Sequence, residues 1–100
     1  MSCVVLVVAV LGGCAAPPAL KTAHGVLLEV ESPSIQRVER FTLRTDDGQE
    51  LRFSAASDFN SGTSHAMTPG HMRQHMALAD PVTITYREEG GNLVALNATD

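Results

Sequence analysis

From His24 to Glu31 the chain alternates, with Val26, Leu28 and Val30 on one side and Leu27, Glu29 and Glu31 on the other. That period of two predicts a half-buried strand, and Ser32-Pro33-Ser34 stops it. A second strand over about 38–45 sets Phe41 and Leu43 against Arg40, Thr42 and Arg44. Asp46-Asp47-Gly48 then supplies residues that accept the positive φ of a tight hairpin. The third strand, 50–55, turns Leu51 and Phe53 inward and Glu50, Arg52 and Ser54 outward. A Ser-, Asn- and Gly-rich loop follows over 56–64, with Phe59 its one large apolar residue. Thr68-Pro69 opens a helix over about 69–79, with Thr68 as N-cap and Pro69 where a missing N–H costs nothing. Asp80-Pro81 forces extended geometry and ends it. Two more alternating runs, 82–87 and 93–98, flank the turn Glu88-Glu89-Gly90-Gly91-Asn92.

The order is therefore strand, strand, strand, helix, strand, strand. It resembles the OB-fold, a five-stranded, partly open barrel with its helix between strands three and four. The expected fold class is a mainly β, OB-like barrel over 23–100, with the helix covering one open end. The alternation assigns Val26, Leu28, Val30, Phe41, Leu43, Leu51, Phe53, Val82, Ile84, Val94 and Leu96 to the interior face. Phe59 is expected to plug one end of that core, or else to join Asn60 in a ligand or partner surface formed by the loop. Element order implies a fold and says little about activity.

Residues 1–13 have a different character. Val4 to Leu11 is an unbroken apolar run, too short to span a bilayer and suited to the core of a signal peptide. It ends in Leu11-Gly12-Gly13-Cys14, which resembles the lipobox of bacterial lipoproteins. That resemblance implies removal of 1–13, a lipid on Cys14 and a tether over 14–22, where Ala15-Ala16-Pro17-Pro18-Ala19 is suitably small and extended. It implies a membrane-anchored, extracytoplasmic protein of the cell envelope, in the outer membrane if the cell is Gram-negative. Met1-Ser2-Cys3 lacks the basic residue that usually opens a signal peptide, so a buried first strand over 1–13 is the alternative.

With Cys3 removed and Cys14 acylated, the domain has no thiol for a disulfide, a thiolate metal site or a nucleophile. The net charge of −4 and the lack of Trp oppose nucleic-acid binding. No catalytic constellation can be assembled, and a non-enzymatic binding or structural module, with an envelope protein as one class of partner, is the expected role.

One segment stands apart in composition. Residues 65–76 hold three of the four histidines and three of the four methionines, namely His65, Met67, His71, Met72, His75 and Met76. On a helical wheel with Met72 at zero, His75 falls at about −60° and His71 at about −100°, beside Met76 at about 40° and Leu78 at about −120°. One reading is packing, with Met72, Met76 and Leu78 filling the barrel end and His75 bonded to a carbonyl. That reading needs no cofactor. The other is a site for copper or another soft metal, in which His71 and His75, one turn apart, are completed by His65 with Met67 or Met72, and the thioether sulfur favours copper(I). No acid joins the two histidines on the helix itself.

Overall fold

The computed structural model describes residues 19–60 and 67–100. Five strands, β1 (Lys21–Glu31), β2 (Arg40–Thr45), β3 (Glu50–Ala55), β4 (Val82–Glu89) and β5 (Asn92–Thr99), and one helix, α1 (Pro69–Leu78), follow in the expected order. The strands close into a barrel in the order β1-β2-β3-β5-β4. All neighbours are antiparallel except β3 and β5, which pair in parallel over only three positions, Phe53↔Leu93 to Ala55↔Ala95. The lipobox, Cys14 and His65 lie outside the described residues.

The barrel is possible because β1 serves two partners. Its first half pairs with β4 and its second with β2, and Gly25 belongs to both pairings, opposite Val82 on one side and Thr45 on the other. At that corner the backbones crowd together. A Cβ on Gly25 would sit 2.0 Å from the carbonyl oxygen of Arg44, so a side chain there has no room. Gly90 and Gly91, both at positive φ, form the tight β4–β5 turn.

Two bulges shift the alternation that the sequence displays. In β1, Leu27 faces Leu43 and Glu29 faces Thr42, leaving Leu28 unopposed. Leu27 is therefore buried, Leu28 is exposed, and Val30 returns to the core after the bulge. In β5 the register slips between Tyr86↔Ala95 and Thr85↔Asn97, leaving Leu96 as the extra residue. Ala95 and Ala98 consequently face inward, and the expected inward positions Val26, Leu28, Val94 and Leu96 are corrected to Leu27, Leu93 and Ala95. A strict two-residue period cannot reveal an inserted residue, because each half of a bulged strand remains regular by itself.

The core is a compact set of large side chains: Phe41, Leu43, Phe53, Val82 and Ile84 from the strands, with Met67 and Met72 from the helical segment. A file of rings runs through it. Phe59 packs 5.8 Å from Phe41, Phe41 5.3 Å from Phe53, and Phe53 edge-on 5.0 Å from Tyr86. Each such contact adds roughly 0.5–1.5 kcal/mol beyond simple burial. Outside, Lys21 pairs with Glu88 at 2.8 Å, and Arg40 and Arg52 both approach Glu31. Exposed pairs of this kind add little to stability, because solvent screens them.

The short β3–β5 seam is extended by the chain that follows β3. Ala56 N–H donates to Ala95 O and Asn60 N–H to Leu96 O, both at 2.9 Å. The Asn60 side chain accepts from Ala98 N–H at 2.7 Å and donates to Met67 O at 3.4 Å. Asn60 is buried and holds a left-handed φ of 62°, a conformation that Asn tolerates better than most residues.

Replacing Gly25 by Ala is expected to destabilise the fold by about 1–3 kcal/mol, the usual cost of overpacking. A lower urea midpoint with an unchanged slope is the result that checks it.

Candidate metal centre

The helix is set in phase by its own start. The Thr68 side chain accepts from His71 N–H at 3.1 Å, and Pro69 occupies the first turn. That phase turns Met72 fully into the barrel end and Pro69 with it. Arg73 then reaches across to donate to Val30 O at 3.2 Å, fastening the helix to β1. At the far end Ala79 takes a left-handed conformation, with Asp80 N–H donating to His75 O at 2.9 Å. Leu78 projects into solvent, so the barrel-facing arc centres on Met72 and does not extend to Leu78 as the wheel suggests.

His71 and His75 lie beside that arc, one turn apart, with their rings stacked at 4.9 Å. Their Nε2 atoms are 3.2 Å from each other. Asp100, directly after β5, meets both: its Oδ2 is 3.1 Å from His75 Nε2 and 3.5 Å from His71 Nε2. Three donor atoms from three residues thus form a nearly equilateral triangle.

The dimensions of the triangle carry chemical meaning. Donors bound at about 2.0–2.1 Å to one tetrahedral ion are roughly 3.3 Å apart, so the observed separations match the edges of such a polyhedron. Among the described residues, His71, His75 and Asp100 form a group whose ligand atoms can meet at one ion. His75 is the inner member, its side chain 11% exposed, against 38% for His71 and 53% for Asp100. Its Nδ1 is buried with no hydrogen-bond partner among the described residues, so the carbonyl bond expected from pure packing is absent. All the polar contacts of this ring converge on Nε2, the atom that faces the other two donors.

Of the five candidate ligands, two meet here, two are placed elsewhere and one lies outside the described residues. His71 and His75 come together as the i, i+4 spacing predicts. Met67 and Met72 do not join them as surface donors, because both side chains are buried in the hydrophobic core. His65 lies outside the described residues. Asp100 is a member that the sequence pattern does not indicate, since no acid lies on the helix beside the histidines. Nothing local marks it, since 25 residues separate it from His75 and only the barrel brings them together. Of the two loop residues, Phe59 packs against Phe41 and Asn60 clamps β5. The fourth histidine, His24, pairs with Asp46 at 2.8 Å between β1 and the β2–β3 turn.

No family model and no curated protein matches the sequence. Solved structures do share the architecture. The barrel is similar to that of CusF. The apo form of CusF from Escherichia coli, residues 6–88, superposes with a TM-score of 0.57 at 16% identity, over 84% of this chain and 89% of that one. The silver(I)-bound form, residues 10–88, gives 0.57 at 14% identity over 85% and 95%. A second silver(I) complex of CusF gives 0.54 at 13% identity over 82% and 97%. At this level of identity the likeness establishes an OB-like barrel.

The Asp100 carboxyl is held below its ordinary value of 3.8, first by a bond from its own backbone N–H and then by His75 and His71, while desolvation opposes the shift. A carboxyl lowered by folding stabilises the native state above its ordinary value, and that contribution is lost as pH falls through the lowered one. Carboxyl NMR titration is expected to place Asp100 below 3.8 in the native chain. In the double variant His71→Ala, His75→Ala its midpoint should rise, yet stay under 3.8 because the largest cause remains.

Proposed function

We propose that this chain is a metal-ion-binding module of the bacterial cell envelope, holding its ion on His71, His75 and Asp100. The observation that carries the reading is the donor triangle, with edges of 3.1, 3.2 and 3.5 Å. Two imidazole nitrogens and a carboxylate oxygen are the donors of borderline divalent ions, and copper(II) stands above zinc(II) in the order of affinities for such sets. The silver(I) complexes of CusF support metal binding by a barrel of this architecture. The chemistry here differs from a soft-metal site, however, because Met67 and Met72 are committed to the core and bring no sulfur to the triangle. Copper in its oxidised state is therefore the preferred ion.

Binding by histidine competes with protonation of the same nitrogens, so acidification is expected to release the ion. Calorimetric titration should give one copper(II) per chain. The variant His71→Ala, His75→Ala should bind more than about 100-fold more weakly, beyond the 10–100-fold that loss of an outer-shell partner costs. Micromolar or tighter affinity surviving in that variant would exclude the site.

The proposed location rests on Leu11-Gly12-Gly13-Cys14 and on the cysteine-free domain behind it. A lipid on Cys14 would tether the barrel to the membrane through the residues that precede β1, which begins at Lys21 and not after the expected tether over 14–22, and leave the metal centre free to meet an envelope protein. We read the module as binding rather than catalytic. In a bacterial host, the chain is expected to sediment with membranes, and Cys14→Ala to move it to the soluble fraction. A membrane-bound Cys14→Ala variant would exclude the anchor.

A further inference from the structure

We infer that the metal centre draws three donors from the described residues and takes its fourth from outside the chain, a monodentate nitrogen or anionic ligand that exchanges with water. The inference rests on the proposed metal site and specifies how it works. An ion placed at about 2.05 Å from each corner of the observed triangle sits roughly 0.8 Å out of its plane, close to the roughly 0.7 Å of a regular tetrahedron. The three donors therefore make one face of a tetrahedron, and the remaining vertex lies beyond the ion on the opposite side.

That vertex has nothing from the helix or from β5 to fill it. Met72, the nearest soft donor in sequence, is fully buried in the barrel, and Met76 packs partly against the same core. Arg73 is turned away to Val30 O. Exposure is graded across the site, from His75 at 11% through His71 at 38% to Asp100 at 53%, so the triangle is closed on the His75 side and open along its other edge. Sites closed by four protein ligands serve structure, whereas three ligands and an open position leave the ion reactive or exchangeable. With no general base or nucleophile beside this ion among the described residues, the open position suits exchange. An incoming donor displaces the bound water, and the ion can pass to that donor as the protein ligands dissociate one by one. No electron is transferred and no covalent bond within the protein is broken.

The test uses the full chain loaded with one copper(II), with sodium azide as the probe. Azide bound to copper(II) produces a ligand-to-metal charge-transfer band. We expect a band that saturates at one azide per copper and is displaced by imidazole. As a second measurement, free histidine should strip the copper at a rate proportional to histidine concentration, because the acceptor enters before the ion leaves. Retained copper that gives no azide band, or stripping at a rate independent of histidine, would show a closed site and overturn the inference. Failure to retain copper in dialysis would instead overturn the metal site itself, and this inference with it.

Discussion

Closing the barrel depends on a seam that is barely long enough. β3 and β5 share only three paired positions, and beyond Ala95 the strand would present buried N–H and C=O groups with no partner. Leaving one such group unsatisfied costs roughly 1–3 kcal/mol. The loop after β3 prevents this by running on alongside β5, with Ala56 and Asn60 bonding the carbonyls of Ala95 and Leu96 and the Asn60 amide taking the N–H of Ala98. The same side chain holds Met67 O, which fixes where the chain re-enters the core before the helix. The clamp thus joins the end of β5, which leads into Asp100, to the chain that enters α1, which carries the two histidines.

The parts of the fold that were readable in sequence are those set by local rules. The order of the strands, the Asp46-Asp47-Gly48 turn, the Thr68-Pro69 helix start and the stop at Asp80-Pro81 each express a preference of a few neighbouring residues, and all appear as expected. The errors have a common physical source. Bulges at Leu28 and Leu96 reverse the facing of the residues around them, and a bulge is a property of two paired strands that neither strand shows alone. The clamping role of Asn60, expected only as part of a ligand or partner surface, is not legible in sequence because its partners on β5 are 36 to 38 positions away.

The candidate centre divides along the same line. The i, i+4 histidines are a helical feature and were legible, whereas Asp100 owes its place to the barrel. Methionines and histidines mixed within one dozen residues suggest a single ligand set of imidazoles and a thioether. Folding separates them by polarity: the thioethers of Met67 and Met72 are driven into the core with the phenylalanines, and the imidazoles remain at the helix edge where a carboxylate can reach them. The two readings of the segment, packing and metal chemistry, thus belong to different residues of the same helix and do not exclude each other.

The donors come from one helix and from the end of a strand that the chain reaches 25 residues later. An unfolded chain cannot hold these three atoms in register, so an ion seated on them acts as a removable crosslink between the helical cap and the last strand. Its affinity contains the free energy of docking those two elements, and by mass action their docking is tightened whenever the ion is present. The barrel end would then report the metal supply mechanically, firm when loaded and looser when empty, with amide exchange in α1 following occupancy.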